Sequence, residues 1–251
     1  ESTGSGGGLQ LFCAGVGAQH PDITNASRRI KASEVKKCMN NGVKKVTEVK
    51  IGADGIVLAN SVEAEQMQLT TKQIWLALAA KVPQEGKMVE NPNETWSDID
   101  SDLPDTEIEV LGPPPTSGTR DAFNELAMLD GCQQFDMIAE MSSEKKMHNV
   151  CFSYREDGAW VEAGENDTFI VKKLAQTPTA LGIFGFSFLD QNRDKIQAAT
   201  VNNYKPTVEN ISSDKYPLSR SLWFYVKNAH VGVIPGIKDY VAEFMSEGTI
   251  G

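Results

Sequence analysis

A chain of 251 residues, 40% hydrophobic and 23% charged, has ordinary globular composition and room for one large domain or two of about 100–150 residues. Its net charge of −10 and pI of about 4.9 exclude non-specific nucleic-acid binding, which needs a basic surface. They leave a small anionic ligand open, because a buried site works through local amides and salt screens surface charge within about 8–10 Å.

No run reaches the roughly 18 consecutive apolar residues that would cross a bilayer. The opening Glu1-Ser2-Thr3-Gly4-Ser5 does not resemble a leader peptide and is expected to be the start of a mature or truncated product. Residues 1–8 are glycine-rich and predict a flexible loop. It runs into a helix with Leu9, Phe12 and Cys13 at i, i+3, i+4. Residues 22–27 predict a short strand and a turn. Ser33 is expected to cap a helix from Glu34 to Asn40 that ends near Asn41-Gly42. Val46 to Ile51 predicts one strand and Gly55 to Ala59 a second, buried one, with a turn at Ala53-Asp54-Gly55 as the plain reading of Asp54.

Asn60 to Gln68 is polar and reads as a connection between lobes. A helix opens at residues 70–73 and carries Ile74, Leu76 and Leu78. Residues 83–105 predict a surface excursion with a turn around Trp96, and the acidic stretch 90–109 a solvated surface. Ile108 to Leu111 predicts a strand, residues 112–116 a proline-rich turn, and Ser117-Gly118-Thr119 a helix start. Residues 164–168 predict a loop and cap before a helix from Phe169 to Leu174. Leu181 to Phe188 predicts a second apolar strand, Ser221 to Val226 another, and Ile237 to Met245 a terminal amphipathic helix. Alternating strands and helices place the chain in the α/β class.

The four cysteines, Cys13, Cys38, Cys132 and Cys151, allow two disulfides or four buried thiols. Bridges would imply an oxidising compartment. No C-x-x-C occurs, and His20, His148 and His230 are scattered, so zinc is not expected. The histidines neighbour no candidate serine either, which argues against a phosphatase.

Two segments share one construction: Gly4-Ser5-Gly6-Gly7-Gly8 and Thr116-Ser117-Gly118-Thr119 each precede a helix. The first N–H groups of a helix lack partners, and the macrodipole places partial positive charge there. Glycine lets an anion approach closely, and serine and threonine hydroxyls add donors. Each segment alone is also an ordinary helix cap. Neither is a Walker A loop, and neither fits G-x-G-x-x-G. Arg120 lies in the first turn of its helix, where a cation opposes the dipole unless it meets an anion or a carboxylate. Arg28 and Arg29 follow the turn at residues 24–27.

Together these residues resemble the phosphate-specific substrate-binding proteins of bacterial ABC importers. The matching stretches are residues 4–8, 22–28, 54–57, 117–123, 180–185 and 216–220, in the family's order across nearly the whole chain. The resemblance implies a two-lobed, α/β periplasmic-binding-protein type II fold with two segments crossing a hinge, near residues 59–61 and 184–188. Lobe one would hold residues 1–60 and 186–251, and lobe two residues 61–185. Cys13–Cys38 would staple the first lobe and Cys132–Cys151 the second. Phosphate would be held by Ser5, Arg28, Ser117, Gly118, Thr119 and Arg120, charge-assisted bonds from arginine being the strong ones. The partners implied are inorganic phosphate and membrane permease subunits. A monomer without catalysis or cofactor, in the periplasm of a Gram-negative bacterium, is expected.

Three departures qualify the match. Pro113 stands where many relatives have an arginine, so Arg28 or Arg120 would take its place. The proton acceptor that discriminates against sulfate has to come from elsewhere, with Asp54 the candidate and Asp22 the runner-up. The chain also opens almost on the Gly-Ser-Gly-Gly segment, so a strand–helix unit found in relatives is expected to be absent. Other oxyanions such as sulfate or molybdate, and a phosphate sensor or adhesin on the same fold, are the alternatives.

Overall fold

Residues 46–61 form one strand of 16 residues, not the two expected. The supposed turn at Asp54-Gly55 is extended backbone. Gly55 is there for packing, because a β-carbon on it would stand 2.6 Å from Ile211 Cδ1. The first half of the strand is part-exposed and its second half, Gly55 to Ser61, is buried throughout. This is a computed structural model, and it describes residues 4–115, 117–164 and 167–246. Thr116 and residues 165–166 of the expected helix-leading loops lie outside the described residues.

The chain forms two compact units, 1–54 with 220–251 and 55–219. Val46–Ser61 leads from the first into the second, and Ser219–Lys227 leads back. These divisions fall at 54/55 and 219/220, whereas the expected lobes divide at 60/61 and 185/186.

In the first unit Ile23–Ala26 pairs antiparallel with Ser219–Lys227, from Ile23↔Val226 to Ala26↔Trp223. Successive side chains of a strand point to opposite faces. Tyr225 therefore joins Leu9, Phe12, Cys13, Cys38 and Val43 on one face, while Phe224 and Val226 meet Ile237 of the terminal helix Ile237–Phe244 on the other. The glycine run is not a loop: the first helix is Gly4–Phe12. Glycine costs about 1 kcal/mol relative to alanine in a helix. Full burial of Leu9 and Phe12, at about 1.5–3 kcal/mol each, offsets that.

The second helix is Ala32–Asn40, capped at Lys31 and not at Ser33. Glu34 decides this. Its Oε2 accepts the Lys31 N–H at 2.8 Å, and its two oxygens take a fork from Arg28 at 2.9 and 2.8 Å.

In the second unit Val110–Gly112 lies between Trp160–Glu162 and Leu181–Gly185, parallel to both. Leu181–Gly185 pairs antiparallel with Ile56–Ala59 of the long strand, and Ile196–Ala198 pairs further along it. The expected strand Leu181–Phe188 breaks at Gly185, and Phe186–Gln191 is helical. Helical geometry buries Leu189 in the core built on Val57, Leu174 and Phe184 and stacks Phe188 on Phe184 at 5.5 Å. Trp96 does not lie on a surface turn. It is fully buried and begins the short helix Trp96–Ile99, which Asp98 closes by accepting the Glu94 and Thr95 N–H groups. The preceding stretch is a hairpin, Lys81–Gln84 with Lys87–Glu90, turning on Glu85 and Gly86 at φ 48° and 78°.

Cys13–Cys38 and Cys132–Cys151 are disulfide-bonded, as the resemblance implied. Each closes a loop inside one compact unit. Among the described residues no helix is long and apolar enough to cross a membrane.

Two outcomes are expected. Closing a loop of this length restricts the unfolded chain, so Cys132→Ala with Cys151→Ala should lower the unfolding free energy by about 2–4 kcal/mol in a denaturant titration; a loss under about 1 kcal/mol would contradict it. Burial alone would raise the Glu34 carboxyl, but hydrogen bonds from Arg28 and the Lys31 amide outweigh burial and hold it below its ordinary 4.5. A carboxyl depressed in the folded chain contributes stability above its unfolded value and loses it as pH falls through the lower, folded one. The stability gap between the wild type and Glu34→Gln should therefore shrink as pH drops below 4.5. A gap constant through that range would refute the coupling.

Candidate functional site

The predicted site residues fall into two groups, Ser5, Arg28 and Asp54 in the first compact unit and Ser117 to Arg120 in the second. In the first, Ser5 stands in the opening turn of Gly4–Phe12. Its Oγ accepts the Ser27 N–H at 2.9 Å and lies 2.9 Å from the Ser27 hydroxyl. Arg28 lies beside the same turn: a β-carbon on Gly6 would be 3.7 Å from its Nη2. The helix start, Ser5 and Arg28 are thus one cluster. Glu34 holds Arg28 in place, and Arg28 Nη1 also donates to the Arg29 carbonyl at 3.2 Å. Sequence reasoning missed Ser27 as an orienting group, though it lies within the matching stretch 22–28, and missed Glu34 as the partner of Arg28.

Asp54 faces Arg220, whose Nη2 donates to its carboxylate at 3.2 Å. Arg220 ends the matching stretch 216–220, but nothing in the residue order points it at Asp54. Asp22, the runner-up acceptor, is engaged elsewhere. Its carboxylate meets Nδ1 of the buried His230, and His230 Nε2 accepts the Gly17 N–H at 3.1 Å. An Nε2 that accepts leaves the ring proton on Nδ1 for Asp22.

In the second unit Ser117 caps Gly118–Phe123, its Oγ accepting the Thr119 N–H at 3.2 Å. Among the described residues nothing lies within 4 Å of where a Gly118 β-carbon would stand, so the start of this helix borders open space with respect to them. Arg120 is 8% exposed. Its guanidinium carbon lies 3.8 Å from the Tyr154 ring centre and 4.4 Å from that of Trp160, and Nη1 donates to the Pro113 carbonyl at 3.0 Å. Glu162 stands 4.0 Å away. Stacking on two rings and a carbonyl bond replace what the dipole at this terminus takes from a cation.

The platform depends on two further residues. Gly112 leaves room for Trp160, since a β-carbon there would stand 1.8 Å from the indole. Tyr154 donates to Asn124 Oδ1 at 2.6 Å. Burial pushes the Tyr154 phenol far above its ordinary value, although Arg120 pulls against it. Asn124 opens a π-helical turn, Asn124–Met128, a distortion frequent at functional sites. Tyr154 and Trp160 lay in no motif, and nothing in their spacing pointed to Arg120. Among the described residues no group of three or more His, Cys, Asp or Glu could hold a metal ion.

A PBP superfamily domain matches residues 1–248. The chain is 27% identical over 246 residues to the phosphate-binding protein PstS of Staphylococcus saprophyticus, covering 96% of this chain and 64% of that protein. It is 27% identical over 230 residues to protein SphX of Synechococcus elongatus, covering 89% and 58%. It thus spans about three fifths of the length of these curated relatives. Among solved structures, a possible phosphate binding protein from Planctomyces limnophilus superposes with a TM-score of 0.72 at 25% identity, over 97% of this chain and 75% of the other. An ABC-type phosphate transport receptor from Vibrio cholerae superposes at 0.63 with 19% identity, over 98% and 80%. The α/β periplasmic-binding-protein type II fold implied by the family resemblance is the fold of this chain, and the chain belongs to the PBP superfamily.

Proposed function

We propose that this chain is an extracytoplasmic solute-binding protein that captures inorganic phosphate and hands it to the permease subunits of an ABC importer. One observation carries the reading. In each compact unit an arginine accompanies a Ser-Gly helix start: Arg28 lies beside Ser5-Gly6, and Arg120 stands in the first turn after Ser117-Gly118, stacked on Tyr154 and Trp160. Backbone N–H groups, hydroxyls and guanidinium donors suit a small tetraoxyanion with many lone pairs. The relatives named phosphate-binding proteins support the same cargo. The two disulfides favour an oxidising compartment, which we take to be the periplasm of a Gram-negative bacterium, with the chain acting as a monomer.

The proposed ligand set is Ser5, Arg28, Ser117, Gly118, Thr119 and Arg120, with Asp54 as the acceptor for the proton of hydrogen phosphate. Arg220 would orient the Asp54 carboxylate, and the engagement of Asp22 with His230 favours Asp54 for that role. An acceptor rewards a protonated anion and repels a fully ionised one.

Calorimetric titration of the ligand-stripped protein with phosphate, arsenate, sulfate and molybdate tests the cargo. Phosphate and arsenate are expected to bind, and tight sulfate binding without a phosphate response would overturn the assignment. Arg120→Ala should weaken phosphate binding by more than about tenfold, about 1.4 kcal/mol, with thermal unfolding followed in parallel because the variant also loses the aromatic stack. Unchanged affinity would remove Arg120 from the ligand set. Asp54→Asn should raise sulfate affinity relative to phosphate by about tenfold or more; an unaltered ratio would exclude Asp54 as the discriminating acceptor.

A further inference from the structure

Charge is unevenly divided between the two compact units. Residues 55–219 carry 26 Asp and Glu against 13 Lys and Arg, whereas residues 1–54 with 220–251 carry 8 against 11. The basic excess is concentrated between Arg28 and Lys50, where eight basic residues meet two acids, Glu34 and Glu48. Both acids are already engaged, Glu34 by Arg28 and Glu48 by Arg29, each at 2.8 Å. Lys36, Lys37, Lys44 and Lys45 are exposed, and among the described residues none of them makes an ion pair.

Apolar side chains stand among these lysines. Val35 and Met39, one turn apart on Ala32–Asn40, are 41% and 58% exposed. Val16, 42% exposed, reaches the turn at Gly42, where its Cγ2 lies 4.0 Å from the place of a β-carbon. The Val43 N–H then bonds back to the Cys38 carbonyl at 2.9 Å. That bond sets Lys44 and Lys45 beside the last turn of the helix that carries Lys36 and Lys37.

Protein interfaces favour arginine and aromatic residues and are poor in lysine. This face is the reverse: its two arginines are occupied by glutamates, and its free charge is all ammonium on flexible stems, which suits a diffuse negative surface better than bidentate pairing. Exposed valine and methionine among lysines match a lipid boundary, where apolar tips enter between headgroups and ammonium groups stay at phosphate level. We propose that the face formed by Ala32–Asn40 and Lys44-Lys45 docks on an anionic phospholipid surface. The inference stands independently of the cargo.

The test is sedimentation of the full chain with vesicles of phosphatidylcholine, with and without phosphatidylglycerol, at low and high salt. The chain is expected to bind the anionic vesicles at low salt, to ignore pure phosphatidylcholine and to be released by high salt. Lys36→Glu with Lys37→Glu should lower partitioning by at least about tenfold, while the charge-matched pair Lys145→Glu with Lys146→Glu on the second unit leaves it unchanged. Thermal unfolding checks that each variant is folded. No binding to anionic vesicles at low salt, or equal losses from the two lysine pairs, would overturn the proposal. Retention on immobilised polyglutamate without vesicle binding would likewise overturn it, and would reassign the face to an acidic protein partner.

Discussion

A cation in or beside the first turn of a helix sits where the unpaired amides and the macrodipole already supply positive charge. It stays there only if other groups hold it, and this chain meets that constraint twice by different means. In the first unit Glu34 grips Arg28 with both oxygens while closing the start of its own helix through the Lys31 amide. In the second, two aromatic rings and the Pro113 carbonyl hold Arg120. The first device neutralises its arginine with a carboxylate. The second leaves the charge of Arg120 largely to the field of two rings, since Glu162 is no closer than 4.0 Å.

The second device rests on missing atoms. Gly112 has no side chain because the Trp160 ring occupies its place, and Gly55 yields its place to Ile211 in the same way. Close approach of this kind spreads the requirements of the site through the core. The strand Val110–Gly112 that ends at Gly112 also lies between two neighbours of the sheet, so the position of the platform and the register of the sheet are set together. The fully buried Phe123, stacked 6.3 Å from Trp160, ties the helix that carries Arg120 to the same ring.

Charge separation adds a property that neither helix start needs. The acidic total of the chain belongs to residues 55–219, while the first unit is slightly basic. Within that unit Arg28 and Arg29 are each paired with a glutamate, while among the described residues Lys36 and Lys37 of the helix Ala32–Asn40 make no ion pair. A single net charge for the whole chain hides this division, so overall acidity does not exclude an anionic partner at one face.

Local features were legible from residue order. Thr70 and Ser117 are helix caps because their hydroxyls reach amides two or three residues on, and a cap depends on nothing distant. The α/β class, the terminal helix at Ile237–Phe244 and the helix start beside Arg120 were read in the same way. Tertiary contact decided the rest. Glycines at 4–8 became helix because Leu9 and Phe12 are buried. Residues 53–55 stayed extended because Gly55 makes room for Ile211. Trp96 entered the core from a stretch whose composition reads as surface. Glu34, Tyr154 and Trp160 became the supports of the two arginines through contacts across 6, 34 and 40 residues. Propensity and periodicity act within a few residues, whereas close packing is settled by whichever distant side chain fills the space.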